Sequence, residues 1–162
     1  MTDNMPTYRK WAIQQLQRNI TIYSQVVLMI PADVATTARD GGDGWTITEV
    51  MGHLRDFEDI FMERARLTAT EDMPPLRFPD PDALAQENNY NADKLADVYT
   101  AWAEKRRAFL AYLETLTDEQ WSRPGAHPKR GPFTLNDQLL LAVWHDNLHL
   151  EQIVKILSEK HA

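Results

Sequence analysis

A chain of 162 residues can bury one substantial core but not two comfortable ones, so residues 1–162 are expected to form one domain. Its 43% apolar and 25% charged content is that of a soluble globular protein, and a net charge of −7 argues against nucleic acid and anionic membranes as partners. There is no cysteine, which excludes disulfide scaffolds, thiolate metal sites and cysteine nucleophiles; thiol chemistry would need a thiol brought in as cosubstrate. Residues 1–15 lack an apolar signal core, and the longest apolar run, Leu139 to Trp144, is far short of a membrane span, so a cytoplasmic protein is expected.

A first helix is expected from Thr7 or Tyr8 to about Met29. Trp11, Ile13, Leu16, Ile20, Tyr23, Val27 and Ile30 recur at threes and fours as one apolar stripe, and Pro31, lacking an N–H, ends it. Asp40 to Gly44 reads as a flexible break. Thr46 and Glu49 then form a capping box, each side chain satisfying a free N–H at the helix start, with Trp45 and Val50 as its hydrophobic staple. The second helix runs from Ile47 to about Ala69, with Val50, Leu54, Phe57, Phe61 and Leu67 inward and His53 about two turns in. The proline- and acid-rich stretch 71–90 cannot be one long helix; it either crosses the bundle or lids a site.

Asn91 is the expected cap of a third helix reaching about Thr115, with Leu95, Val98, Tyr99, Trp102, Phe109, Leu110 and Leu113 as its stripe. A second capping box, Thr117 with Gln120, predicts one short turn, and Ser122 to Phe133 reads as loop. The fourth helix starts at Thr134, with Asp137 as acidic partner, and ends near Ser158. It is apolar around much of its circumference and should be largely buried, in the bundle or partly against a second subunit. No run alternates as a strand does. The fold class is therefore all-α: a four-helix bundle with long interhelical connections.

The chemistry concentrates on the fourth helix. His145 and His149 lie four residues apart, so their imidazoles project the same way and can converge on one ion. Their row continues through Gln138, Ala142, Gln152 and Ile156; Ala142 leaves room, and Gln152 can hold a water or a ring N–H. A third ligand must come from a facing helix, where His53 is the histidine available. Three neutral imidazoles suit zinc, nickel, copper or iron(II), with positions left open for water or substrate. Water bound to such an ion is a nucleophile at neutral pH. Among nearby carboxylates (Glu49, Asp56, Asp146, Glu151), Asp56 is the preferred orienting group or extra ligand. The alternative is that His145 and His149 are partly buried residues bonded to backbone or to Asp56.

His127, in a Pro/Gly loop, and His161, at the chain end, read as solvated. Lys129 and Arg130 read as a solvated basic loop that could also draw an anionic substrate, and Arg106 and Arg107 as snorkelling or acid-paired.

Trp45-Thr46-Ile47-Thr48-Glu49-Val50-Met51-Gly52-His53-Leu54, followed about ninety residues later by His145-Asp146-Asn147-Leu148-His149-Leu150-Glu151-Gln152-Ile153, resembles the DinB-like/YfiT-like superfamily. The resemblance implies a four-helix bundle, a divalent metal (zinc, nickel or iron) held by His53, His145 and His149, and homodimers. It also implies metal-dependent hydrolase or thiol-dependent transferase activity on a small molecule, the thiol being of low molecular weight. The competing expectation is a non-catalytic stress-response or binding module of the same fold with a structural or regulatory metal.

Overall fold

The computed structural model describes residues 5–160, so His161 lies outside the described residues. Four long helices carry the architecture: α1 (Thr7–Val27), α3 (Ile47–Thr70), α5 (Leu95–Leu113) and α7 (Leu135–Lys160). Shorter elements fill the connections: α2 (Ala32–Thr37), α4 (Pro81–Glu87), a 3-10 turn (Tyr90–Ala92), α6 (Asp118–Ser122) and an antiparallel hairpin of β1 (Pro124–His127) and β2 (Gly131–Thr134). No helix among the described residues is long and apolar enough to cross a membrane.

Cross-helix pairs give the directions. Tyr8 meets Asn136 and Asn19 meets Asp146, so α1 runs parallel to α7. Gln138 meets Thr68 while His145 meets His53, so α3 and α7 are antiparallel. Arg55–Asp93, Glu58–Arg106 and Phe61–Phe109 step together, so α3 and α5 are parallel. Parallel helices adjacent in sequence need a crossover, and residues 71–94 supply it. That segment also passes over the cleft described below, so both alternatives raised for 71–90 hold at once.

The local signals at helix starts are realised. Thr46 and Glu49 form the reciprocal box on α3, Thr117 and Gln120 the one on α6, and Asp137 accepts from the Thr134 N–H and hydroxyl at the entry to α7. Asn91 does not cap α5. Lys94 takes that place, and Asn91 instead ties the Thr46 hydroxyl to the Thr36 carbonyl, because two 3-10 hydrogen bonds already turn the chain at 89–93. Pro31 does end α1, but it also opens α2, since a proline suits the start of a helix. Ser122–Phe133 is not plain loop: most of it forms the hairpin, and Ala126 additionally pairs with Pro74 and Leu76, pinning the crossover. Four-residue strands are too short for an alternating pattern to show.

Burial corrects two stripes. Trp11 is exposed, and α1 instead buries Ala12, Leu16, Asn19, Tyr23 and Val27. On α7 the Gln138–Ala142–His145–His149–Ile156 row is buried, while Leu140, Trp144, Leu148 and Val154 stay about half exposed.

The core falls into two apolar clusters, one around Leu16, Phe61, Phe109 and Leu139, the other around Tyr23, Leu54, Trp102 and Ile153. Between them lies a buried polar layer. Arg106 on α5 is fully buried; its Nη1 and Nη2 donate to Asp146 of α7 at 2.6 and 2.8 Å, and its Nε donates to Glu58 of α3 at 3.0 Å. Asn19 of α1 donates to the same Asp146 carboxylate, and the Tyr23 hydroxyl to its backbone carbonyl. All four long helices therefore meet in one network, which fixes the register of α3 against α7. Arg106 is acid-paired, as one of the two sequence readings has it, and does not snorkel.

Gly52, beside His53, is set by packing: a Cβ there would lie 2.5 Å from Cγ of Tyr90, at the base of the ring where nothing can swing away.

Candidate metal centre

The histidines of α3 and α7 come together. Nε2 of His53 lies 2.8 Å from Nε2 of His145, and one ring nitrogen from each of His53, His145 and His149 falls within 4.8 Å of the others. The antiparallel packing of α3 on α7 and the four-residue spacing on α7 place them so. All three are at least nine-tenths buried, among Trp45, Phe57 and Phe61.

Burial pushes the His53 imidazolium down to about 3, helped by His149 nearby. His145 is driven well below its ordinary value by burial and by His149, His53 and Arg106, and His149 is also lowered, mainly by burial. All three rings are neutral at pH 7, the form that ligates metals.

The tautomer of His149 follows from its partners. Asp40 accepts from Gln152 Nε2 at 3.0 Å, which turns Gln152 Oε1 towards His149 Nδ1 at 2.8 Å. An amide oxygen only accepts, so Nδ1 carries the hydrogen and Nε2 is left with a bare lone pair. Lys155, bonded to Asp40 at 2.6 Å, anchors the chain Lys155–Asp40–Gln152–His149. Gln152 thus does what its place in the row suggests. Asp40, inside the supposed flexible break, gave no sequence signal.

The donor set fits a divalent cation. Two neutral Nε2 atoms facing at 2.8 Å repel unless a proton or a cation lies between them, and Nδ1 of both His53 and His145 is buried without a partner. A shared proton would leave one ring's Nδ1 a bare acceptor and the other's an unpaired donor. A cation removes the repulsion by taking an Nε2 lone pair from both rings at once, with each ring's hydrogen on Nδ1.

The carboxylates expected near the rings are engaged elsewhere. Asp56 binds Arg55, Asn88 and Tyr90 and so ties α3 to the corner before α5. Glu49 belongs to the capping box, Asp146 to the polar layer, and Glu151 is exposed. Asp56 therefore has no direct contact with the three rings, and the alternative partner assigned to it falls with that. His127 is not solvated either: it is 2% exposed, packed between Phe78 and Phe133, with Nδ1 accepting from the Lys129 N–H.

A cleft of about 240 Å³ opens on the cluster. Phe57 and Phe61 of α3, Leu141 and Trp144 of α7, and Phe78 and Pro81 of the crossover wall it. The Trp45 indole stacks near His149 and donates to Asp82 of α4 at 3.0 Å, which joins the crossover to this roof. Two cations, Arg64 and Arg130, complete the lining. Arg64 was legible only as a charge on the inward row Phe57–Phe61–Arg64–Thr68.

The lowered histidines give a pH prediction for metal-free protein. Above about pH 6.5 folded and unfolded chains both hold neutral imidazoles, so these groups contribute no pH dependence. As pH falls from 6.5 towards 3, the unfolded chain binds protons that folded His53 does not. Stability then drops by about 1.4 kcal/mol per pH unit for each such ring. Urea midpoints in chelator between pH 7.5 and 5.5 should fall, and His53→Leu should flatten the slope.

Comparison with known proteins agrees with this geometry. YfiT of Bacillus subtilis, a proposed metal-dependent hydrolase, is 32% identical over 149 residues, covering 91% of this chain and 82% of its own. A proposed metal-dependent hydrolase of Oceanobacillus iheyensis is 26% identical over 125 residues, 77% of this chain and 71% of that one. The solved YfiT structure, described as an unusual four-helix-bundle topology, superposes with a TM-score of 0.89 at 25% identity over 99% of this chain and 93% of that one. A mycothiol-dependent maleylpyruvate isomerase shares the fold, with a TM-score of 0.74 at 11% identity over 93% of this chain and 61% of that one. With residues 15–153 matching the profile of the DinB superfamily, this chain belongs to that superfamily.

Proposed function

We propose that this protein is a metal-dependent hydrolase of a small molecule, with a divalent ion held by His53, His145 and His149. The observation that carries the reading is the opening of three neutral imidazoles onto an apolar cleft. A purely structural metal would be enclosed by its ligands, whereas a catalytic one keeps a position open. The proposed hydrolase activity of the relatives points the same way. Zinc, nickel or iron(II) suits the set.

When bound, such an ion supplies Lewis acidity, polarising carbonyl-type oxygens and acidifying water. The chain does the rest. Gln152, held by Asp40, sets the ring of His149; Trp45, Phe57 and Phe61 exclude bulk water and lower the local dielectric. Among the described residues no carboxylate lines the cleft, so nothing there offsets the cation's charge.

Elemental analysis tests the reading. Wild type purified without chelator should carry about one equivalent of metal per chain, as a single mononuclear site requires, and His53→Ala and His145→Ala should carry little. Wild type that stays empty after supplementation with each candidate ion would end the proposal. An ester and amide screen of the loaded protein, run with and without low-molecular-weight thiols, then separates hydrolysis from thiol transfer: a rate that requires the thiol assigns transfer. We also propose a homodimer in the cytoplasm, for which half-exposed Leu140, Leu148 and Val154 of α7 offer apolar surface. Sedimentation of wild type against Leu148→Glu measures it.

A further inference from the structure

The net charge of −7 makes the surroundings of the cleft unusual. Four cations, Arg64, Arg77, Lys129 and Arg130, gather where the crossover meets the hairpin. Arg77 alone of these makes an ion pair among the described residues, with Glu63 at 3.7 Å. Lys129 and Arg130 rest on aromatic faces instead, Lys129 Nζ 4.5 Å from the Phe78 centroid and the Arg130 guanidinium 5.7 Å from that of Phe133.

Arg64 is the telling residue. It is 1% exposed and makes no ion pair among the described residues, the neighbouring Glu63 acting on it only through its charge. Its Nε and Nη2 both donate to the Arg77 carbonyl, at 2.8 and 2.5 Å, while Nη1 has no partner among the described residues. Burial and the nearby Arg130 pull it down to about 10, so it is charged at pH 7. A buried guanidinium whose hydrogen bonds go to a single carbonyl, with the Phe78 ring 5.9 Å from it, is costly to fold. The same carbonyl holds the group rigid in a residue that lines the cleft, with Nη1 uncommitted among the described residues, which is the preorganisation an anion needs.

We propose that the substrate is a hydrophobic organic anion, its carboxylate-type group held by Arg64 and Arg130 and its apolar body against Phe57, Phe61, Phe78 and Trp144. The inference rests on the hydrolase reading for where the cleavable bond lies: at the other end of the molecule, facing the histidines. A carboxylate pairs with a guanidinium through charge-assisted hydrogen bonds, and in this apolar cleft water competes weakly for it. The cations at the rim also favour anions at encounter in an otherwise acidic protein.

The test compares 3-phenylpropionate with 3-phenylpropanol by calorimetric titration, in metal-loaded and in metal-free protein. The carboxylate should bind about tenfold or more tightly than the alcohol in both forms. Persistence of the preference without metal shows that the anion is read by arginine and not by the ion. Arg64→Met should remove the preference while leaving metal stoichiometry intact, and Arg130→Met, at an exposed position, should reduce it. Equal binding of acid and alcohol, or a preference unchanged in both variants, would overturn the proposal. Should Arg64→Met fail to fold, Arg130→Met decides alone: a reduced preference supports the proposal and an unchanged one overturns it. Failure of the metal site itself would show only in the stoichiometry, since the titration of metal-free protein reads the arginines independently.

Discussion

Arg106→Met is expected to destabilise the protein by about 3–5 kcal/mol, read as a fall in the urea or thermal midpoint. Methionine fills much of the space but leaves Glu58 and Asp146 as buried carboxylates without their cation. Glu58 is already pushed upward by burial, against the pull of Arg106, and its Oε2 has no partner. Removing the guanidinium takes away the main group that offsets this cost. The loss should come from broken pairing and not from lost volume, so replacing all three residues (Glu58→Leu, Arg106→Met, Asp146→Leu) should recover most of it. A triple variant as unstable as the single one would show that this layer stabilises by packing. A stable triple variant that binds metal poorly would show what the layer is for: holding α3 in register against α7, so that His53 meets His145.

That layer also marks the limit of what the chain reveals as a string. Helix starts were legible because capping boxes are local: Thr46 with Glu49, and Thr117 with Gln120, are decided within four residues. The histidine cluster was legible for a similar reason, since the spacing of His145 and His149 is a helical constraint and His53 was the histidine on a facing helix. What these rings touch was not. Asp56 is near His53 in sequence but turns towards Tyr90, while the partner that does orient a ring, Asp40 through Gln152, comes from a glycine-rich loop 112 residues away from that glutamine. Trp11 fits the apolar spacing of α1 yet faces out, because Asn19 takes an inward position to meet Asp146. Glu58, Arg64 and Arg106 each sit on an inward row. A charge there is the one sequence sign of a buried network or a ligand-facing group, but the side chain that meets it is set by tertiary packing.

His149→Ala should behave as the opposite of Arg106→Met. On whichever substrate the screen identifies, turnover should fall by about a thousandfold or more, because the several kcal/mol of transition-state stabilisation that a Lewis acid contributes goes with the ligand set. The fold should not suffer. Folding desolvates three imidazoles and leaves Nδ1 of His53 and of His145 buried without partners, so the metal-free protein is destabilised by its own site. Substituting one ring relieves part of that cost. In chelator at pH 6 the variant should match or exceed wild type in stability, since wild type there has begun to lose stability as its unfolded chain takes up protons that its folded rings do not. Gln152→Ala separates orientation from ligation: it keeps all three rings but frees His149 to turn, so metal affinity should drop about 10- to 100-fold, with activity restored by excess metal. No such rescue is expected for His149→Ala. Were His149→Ala to lose stability in parallel with activity in the metal-free state, the rings would be holding the bundle together, and the cluster would belong to the fold and not to the chemistry.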